Sequence, residues 1–154
     1  MTVGQILRFA EGAGQAFSDI VVLGIGGSAL GPIALRSALR SIRWNELGDE
    51  ARDYFPRMHV LENVDPVTIG ELLGRVELGR TLFLVVSKSG GTAETMAQYL
   101  VVRGRLMDAL GDNFRRHLVF VTDPEKGSLR RIAREESIPA LDIPPNVGGR
   151  FSVL

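Results

Sequence analysis

Residues 20–29 read Ile-Val-Val-Leu-Gly-Ile-Gly-Gly-Ser-Ala, an apolar run that ends in a turn rich in glycine and serine. The same order recurs at residues 81–92, Thr-Leu-Phe-Leu-Val-Val-Ser-Lys-Ser-Gly-Gly-Thr. A helical pattern follows each turn directly, so each turn brings unpaired backbone N–H groups and the positive end of a helix dipole to one place. Glycine lets the backbone approach a ligand closely, and the hydroxyl side chains add donors. Two such turns predict a site for a phosphorylated ligand.

The composition limits both the size of the fold and the classes of partner. With 154 residues and 45% hydrophobic content, the chain is long enough for one core and too short for two ordinary domains. The 18 Lys and Arg residues balance the 18 Asp and Glu residues, so no global field favours nucleic acid or an anionic membrane. We expect one globular domain, no nucleic-acid or membrane partner, and a phosphate site built from local groups.

Metal and disulfide chemistry have little support in the sequence. The chain contains no cysteine, and His59 and His117 are far apart with no carboxylate at metal-ligand spacing. We therefore expect no metal ion and no cofactor. The apolar runs are much shorter than a membrane span, and no basic segment followed by an apolar one opens the chain, so a cytoplasmic location is expected.

Strands and helices alternate along the whole sequence. Four apolar runs lack the alternation of a half-exposed strand, which predicts strands buried on both faces. They occupy residues 20–25, 58–61, 81–86 and 117–121, and a weaker fifth candidate lies at 140–143. Helical patterns occupy residues 4–17, 32–39, 66–76, 92–110 and 127–136. We place Pro32 in the first turn of its helix, Thr92 at the start of the longest helix, and Asp123 or Ser128 as the cap of the last one.

This alternation predicts right-handed βαβ units, and hence an α/β fold in which a five-stranded parallel sheet forms the middle layer of a three-layer α/β/α sandwich. Such sheets bind ligands at the carboxyl ends of the strands, where the strand order reverses. In the flavodoxin-like order 2-1-3-4-5, the first and third strands are neighbours, so both turns face one ligand. The sequence alone does not determine this order.

Other phosphate-binding motifs compete with this interpretation. Gly24, Gly26 and Ala29 fit the dinucleotide fingerprint G-x-G-x-x-G/A, and Glu62 ends the second strand, where a ribose-binding acid lies in such sites. Glu62 is, however, well beyond the usual interval of about 20 residues between the glycine fingerprint and the ribose-binding acid. A dinucleotide site also does not account for the second Gly/Ser turn. A P-loop is excluded because Lys88 precedes the glycines. A purely structural strand-to-helix turn also remains compatible with the first motif.

Three segments resemble the glucose-6-phosphate isomerase family. They are residues 23–32, Leu-Gly-Ile-Gly-Gly-Ser-Ala-Leu-Gly-Pro, residues 86–96, Val-Ser-Lys-Ser-Gly-Gly-Thr-Ala-Glu-Thr-Met, and residues 146–153, Asn-Val-Gly-Gly-Arg-Phe-Ser-Val. The Gly-Gly-Arg-Phe-Ser part of the third segment separates this family from other proteins with a sugar isomerase (SIS) domain. The resemblance implies an SIS domain of flavodoxin-like topology and the conversion of glucose 6-phosphate to fructose 6-phosphate through an enediol. It also implies a homodimer in the full-length enzyme, with a place in glycolysis and gluconeogenesis.

The resemblance also assigns site residues. The phosphate-binding positions are Gly27, Ser28, Ser87, Lys88 through its backbone, Ser89 and Thr92. Arg150 matches the catalytic arginine of the family, and its permanent, fork-shaped charge suits an enediolate intermediate. Glu94 and Gly149 are expected to support these groups without touching the substrate.

The resemblance covers only part of the family's enzyme. Isomerisation moves a proton between C1 and C2 and so requires a general base. The family carries that base, the ring-opening histidine and a late lysine further along the chain. We expect residues 1–154 to form one SIS domain of a longer enzyme with two such domains, inactive by itself. A stand-alone sugar-phosphate-binding regulatory module is the alternative, and a dinucleotide-binding Rossmann domain is a weaker one.

The Gly90-Gly91 pair departs from the family pattern. Where the family commonly has a hydroxyl-bearing or bulky residue, this chain has Gly90 and Gly91. We expect a more flexible loop here, with weaker phosphate binding or a changed substrate preference.

Overall fold

The computed structural model describes residues 3–149, which form a single parallel sheet with helices on both faces. The strands are β1 (Asp19–Leu23), β2 (Arg57–Leu61), β3 (Thr81–Ser87), β4 (Leu118–Thr122) and β5 (Ala140–Asp142). The helices are α1 (Val3–Ala16), α2 (Gly27–Leu39), α3 (Pro66–Arg75), α4 (Ala93–Leu110) and α5 (Ser128–Glu136). Short 3-10 turns occupy Trp44–Glu46, Glu50–Arg52, Leu78–Arg80 and Gly111–His117.

The sheet order is β2-β1-β3-β4-β5, and every pairing is parallel. The predicted five-stranded parallel sheet and its flavodoxin-like order are therefore confirmed. In the register of the sheet, Leu23 lies beside Leu61 and Val85, and Ser87 lies beside Thr122. The carboxyl ends of β1, β3 and β4 consequently meet at one edge, and the loops that follow them are neighbours.

The strands pack apolar side chains against helices on both faces, as their unbroken apolar runs predicted. On one face, Phe83 and Phe120 of the sheet belong to the same buried cluster as Tyr99 of α4, Leu73 of α3 and Leu129 of α5. On the other face, Leu82 and Val119 pack with Ala13 of α1 in a smaller cluster. Residues of α2 also contact β2 and β3. This is the three-layer α/β/α arrangement that the sequence predicted.

The prediction for the start of α2 was wrong. The helix begins at Gly27, five residues before Pro32, so the proline lies inside the helix and not in its first turn. The intervening residues Ser28, Ala29 and Gly31 are buried. Their small side chains pack against the rest of the fold in the helical conformation, and this packing outweighs the local cost of an interior proline.

The predicted caps of α5 were also wrong. Gly127 occupies the N-cap position of α5 and Ser128 is its first residue, without a side-chain cap hydrogen bond. Asp123 instead accepts the backbone N–H groups of Glu125 and Lys126 at 2.9 and 3.0 Å, which closes the turn after β4. The Asp123 carboxylate therefore stabilises the turn before α5 and does not cap the helix.

Within the part of the chain that is described, no helix is long and apolar enough to cross a membrane.

Candidate functional site

A cleft of about 380 Å³ opens at the carboxyl edge of the sheet, between the turn after β1 and the loop after β3. Its lining consists of Ile25, Gly27, Ser28, Lys88, Ser89, Thr92 and Gly149. Five of the six predicted phosphate-binding residues are in this lining. The sixth, Ser87, is only 2% exposed, and its hydroxyl forms a hydrogen bond with that of Thr92 in the lining. The two sequence-distant turns therefore face one cleft, as the adjacency of β1 and β3 requires.

Three hydroxyl groups cluster in the loop after β3, which we call the phosphate loop (residues 87–92). The Ser87 and Thr92 hydroxyl oxygens are 3.1 Å apart, and Ser89 Oγ lies 3.5 Å from each of them. The Ser87 hydroxyl also accepts the N–H of Gly90 at 3.2 Å, and the Ser89 hydroxyl accepts that of Gly91 at 3.3 Å. Hydroxyl groups rotate freely, so this cluster can reorient its donors toward an oxyanion.

Two helices begin at the cleft. Thr92 is the N-cap residue of α4, but its hydroxyl is engaged with Ser87 and makes no capping hydrogen bond. Gly26 occupies the N-cap position of α2 and has no side chain to cap it. The first-turn N–H groups of both helices thus lack a side-chain cap. Such N–H groups, together with the helix dipoles, favour a bound anion.

Lys88 and Gly149 form the outer wall of the cleft. Lys88 Nζ donates to the Pro145 carbonyl oxygen at 3.2 Å, so the ammonium group is directed to the segment after β5. A Cβ on Gly149 would lie 3.9 Å from Lys88 Cβ, which places the predicted supporting glycine beside the phosphate loop. Arg150, the predicted catalytic residue, lies outside the described residues, and its role stays a prediction.

Glu94 is exposed in the first turn of α4 and is not part of the cleft lining. A carboxylate at this position interacts favourably with the helix dipole. Its predicted support of Arg150 also remains a prediction.

The loop that was expected to be flexible is held at Gly90. This residue is buried, its N–H donates to the Ser87 carbonyl at 3.1 Å, and its carbonyl accepts the N–H of Leu129 at 2.9 Å. The N–H of Asp123 donates to the Lys88 carbonyl at 3.2 Å. The contribution of the β4–α5 connection was not predicted from the sequence, although the Gly-Ser pair before α5 indicates a special turn there.

The strand order bears on the dinucleotide alternative. In a dinucleotide-binding sheet of order 3-2-1-4-5-6, the first strand lies between the second and the fourth. Here β1 lies between β2 and β3. Glu62 is exposed after β2, while the cleft forms on the β3 side of β1. The geometry therefore favours a ligand that lies between the turn after β1 and the loop after β3.

Residues 3–149 contain no group of three or more His, Asp or Glu side chains positioned to hold a metal ion.

A parallel 2-1-3-4-5 sheet with two uncapped helix ends and a hydroxyl cluster at its switch point defines a doubly wound α/β domain with an edge suited to an anion. Its fold is shared by the sugar isomerase domain of the RpiR transcription factor from Sphaerobacter thermophilus, with a TM-score of 0.57 at 17% identity over 99% of this chain and 72% of that chain.

The sequence matches the family described as phosphoglucose isomerase over residues 7–154, and the chain belongs to that family. It is 49% identical to the glucose-6-phosphate isomerase of Carboxydothermus hydrogenoformans over 99% of this chain and 32% of that relative. The crystal structure of a glucose-6-phosphate isomerase from Chlamydia trachomatis superposes with a TM-score of 0.76 at 31% identity, over 97% of this chain and 27% of that one. The chain thus spans about a third of the length of the curated relatives it matches.

Proposed function

We propose that this chain binds the phosphate group of a hexose 6-phosphate in the cleft between Ser28 and the phosphate loop. The observation that carries the proposal is the cluster formed by the Ser87, Ser89 and Thr92 hydroxyls, whose oxygens lie within 3.5 Å of one another. This cluster adjoins the N-terminus of α4 and faces that of α2. Hydroxyl and N–H donors of this kind match the several acceptor oxygens of a phosphate.

The donor set suits a phosphate that must leave after each turnover. Lys88 is the single charged side chain among the described lining residues, and its ammonium group is engaged with the Pro145 carbonyl. The phosphate is therefore held by dipoles and hydroxyls without a buried ion pair. Removing one partner of a buried ion pair is costly, so a site without one releases its ligand more easily.

The reaction we infer for the complete enzyme is the interconversion of glucose 6-phosphate and fructose 6-phosphate through an enediol. The relatives from Carboxydothermus hydrogenoformans and Chlamydia trachomatis are named glucose-6-phosphate isomerases, which supports this inference. In the sequence, Arg150 directly follows Gly149 of the cleft wall. In this proposal Arg150 supplies the fixed positive charge that an enediolate needs.

The proton transfer between C1 and C2 requires a base, and the described part of the cleft lining does not supply one. None of the described residues that line the cleft is a carboxylate or a histidine. We therefore infer that the chain acts as one sugar-phosphate-binding domain. The general base would then come from the part of the enzyme that its relatives possess and that this chain does not span.

The remaining expectations follow from this activity. A hexose phosphate isomerase works where phosphorylated sugars are made and consumed, which is the cytoplasm, in glycolysis and gluconeogenesis. We propose a homodimer for the full-length enzyme, with no nucleic-acid or membrane partner. The balanced charge of 18 basic and 18 acidic residues is consistent with the last point.

Parallel titrations of the chain with four ligands, each monitored by amide NMR, test the proposal. Fructose 6-phosphate and inorganic phosphate should shift the amide signals of Ser28 and of residues 87–92. Fructose without a phosphate group, and NAD, should leave them unchanged. Selective shifts at residues 24–29 with NAD would overturn the proposal in favour of a dinucleotide site.

A coupled enzyme assay tests whether the general base lies outside this chain. We expect no conversion of fructose 6-phosphate by this chain alone, because the base is missing. Measurable turnover that follows the chain through purification would show that a base within residues 1–154 completes the reaction.

A further inference from the structure

The connection between β4 and α5 supports the phosphate loop from outside the cleft. The Asp123 N–H donates to the Lys88 carbonyl at 3.2 Å, and the Leu129 N–H donates to the Gly90 carbonyl at 2.9 Å. Neither Asp123 nor Leu129 belongs to the cleft lining. Two backbone hydrogen bonds thus tie the phosphate loop to a segment that would not touch the ligand.

Between these two hydrogen bonds, Gly127 packs directly against the phosphate loop. Its φ of +91° is a conformation that side-chain-bearing residues rarely adopt. A Cβ at this position would overlap the Ser89 carbonyl oxygen and would lie 2.9 Å from Gly90 Cα. The facing residue, Gly90, has φ +66°, and a Cβ there would lie 3.3 Å from Gly127 Cα. The present position of the phosphate loop requires both glycines.

The supporting segment is itself braced. Asp123 is buried, and its carboxylate accepts the N–H groups of Glu125 and Lys126 at 2.9 and 3.0 Å. These backbone hydrogen bonds lower the pKa of Asp123, so the carboxylate stays charged and keeps the turn closed. Arg130 donates to the Asp123 carbonyl at 2.8 Å and to the Asp142 carboxylate at 2.5 Å. The turn is therefore held on two sides and cannot follow a displaced loop easily.

We propose that Gly127 is a positioning residue for phosphate binding. By letting the β4–α5 connection approach Ser89 and Gly90, it sets where the Ser89 hydroxyl and the N–H groups that follow it lie relative to the N-terminus of α2. Gly127 makes no contact with the ligand in this scheme. The inference rests on the proposed function, because it assigns the phosphate loop to a phosphate.

The expected effect of a side chain at Gly127 follows from the distances. The overlap with Ser89 can be relieved only by moving the phosphate loop or the braced turn by about 1 Å. Hydrogen bonds weaken steeply when donor and acceptor separate from about 2.9 Å to beyond 3.5 Å. Several donors of one loop would be displaced together, so the loss of affinity should be large.

The test compares Gly127→Ala with a matched control, Gly111→Ala. Gly111 has φ +56° at the end of α4, and a Cβ there would meet no atom within 4 Å. Alanine at either position strains the backbone, but only at Gly127 does it press on the phosphate loop. Dissociation constants for inorganic phosphate and fructose 6-phosphate are measured by NMR or calorimetry, at a temperature where circular dichroism shows both variants folded.

We expect G127A to weaken phosphate binding about tenfold or more, because several hydrogen bonds to a charged ligand would be lengthened together. G111A should leave the affinity within about twofold. Equal affinities for the unsubstituted chain and G127A would overturn the inference and leave the proposed function intact. No phosphate binding by the unsubstituted chain would overturn both.

A second measurement needs no variant and decides the question if G127A fails to fold. In the unsubstituted chain, phosphate should slow hydrogen exchange at the amides of Asp123 and Leu129, which donate to the phosphate loop. Unchanged exchange at both amides, while the phosphate loop itself becomes protected, would show that the β4–α5 connection does not position the site.

Discussion

The hydroxyl oxygens of Ser87 and Thr92 lie 3.1 Å apart across the loop that connects β3 to α4. Ser87 is the last residue of the strand, and Thr92 immediately precedes the helix, so this contact closes the loop from both ends. The donors are thereby arranged by the protein before a ligand arrives. Such preorganisation reduces the entropy that binding must otherwise spend on ordering the site.

Replacing Thr92 by valine should weaken phosphate binding about ten- to a hundredfold, because a hydrogen bond to a charged group contributes about 1.5–3 kcal/mol. The Thr92 side chain makes no capping hydrogen bond, so the melting temperature should change little. Calorimetric titration with inorganic phosphate measures the effect.

The matched control is Thr68→Val at the start of α3. Thr68 is exposed and its hydroxyl bonds to a neighbouring side chain, Asp65, at 2.6 Å, but it is not part of the cleft. This variant should bind phosphate as the unsubstituted chain does. Unchanged affinity in Thr92→Val would remove that hydroxyl from the proposed donor set.

Most of the fold could be predicted from the sequence, because each buried strand is an unbroken apolar run. The run at residues 81–86 differs by one residue from β3, which ends at Ser87. The start of α2 could not be predicted locally, because Pro32 is a strong signal for a first turn. The burial of Ser28 and Ala29 against the sheet decided the boundary, and burial of this kind depends on the tertiary structure.

The cleft was predictable to a similar extent. The two Gly/Ser turns were recognisable because hydroxyl side chains and glycines recur after two apolar runs, and parallel strand order brings them together. The supporting role of Gly127 was not, because its contact with Ser89 joins segments that are 38 residues apart. A single sequence contains no signal for such an approach.

A buried ion pair at the opposite edge of the sheet should make the fold sensitive to acid. Asp19 opens β1, and its carboxylate accepts hydrogen bonds from Arg57 at 2.8 and 2.5 Å and contacts His59 at 2.9 Å. Burial alone would raise the pKa of Asp19, but the hydrogen bonds and charges of Arg57 and His59 outweigh burial and lower it. The pair therefore stabilises the fold above about pH 4, and this contribution is lost as the pH falls further.

Replacing Asp19 by asparagine should lower the free energy of unfolding by about 1–3 kcal/mol at neutral pH, because it leaves Arg57 without its charged partner. The difference from the unsubstituted chain should shrink as the pH falls below about 4, because Asp19 takes up a proton first in the unfolded chain and only at lower pH in the folded one. Urea unfolding across the pH range measures both effects. Glu46→Gln, which breaks the exposed pair with Arg43, is the control and should cost less than about 1 kcal/mol. A pH-independent difference for D19N would contradict the electrostatic explanation.

Tyr99 packs edge-on against Phe120 in the larger core cluster, with ring centroids 5.2 Å apart. Its hydroxyl is buried and makes no hydrogen bond of normal geometry within the described part of the chain, although Arg103 is near enough to interact with it. Burial raises the pKa of Tyr99 to about 12. Because the unfolded tyrosine ionises near pH 10, the fold should lose stability as the pH rises from about 10 toward 12.

Tyr99→Phe should therefore leave the free energy of unfolding unchanged at neutral pH or raise it by about 1 kcal/mol, since a buried hydroxyl without a hydrogen bond of normal geometry is removed. It should also reduce the loss of stability at alkaline pH. Tyr54 is 68% exposed, so Tyr54→Phe is a matched control that should reproduce the unsubstituted chain at both pH values. Strong destabilisation of Tyr99→Phe at neutral pH would reveal a partner for the hydroxyl.

Substitution of Lys88 tests whether phosphate binding in the cleft depends on N–H and hydroxyl dipoles or on the charge of the ammonium group. The Lys88 ammonium group donates to the Pro145 carbonyl, and the residue forms part of the cleft wall. We expect Lys88→Met to weaken phosphate binding by less than about fivefold and to leave its salt dependence nearly unchanged, because exposed charge interactions contribute about 1 kcal/mol or less. Titrations at low and high ionic strength measure both quantities. A loss of a hundredfold that disappears at high salt would show that the ammonium leaves Pro145 to pair with the phosphate, and that the hydroxyl cluster is secondary to it.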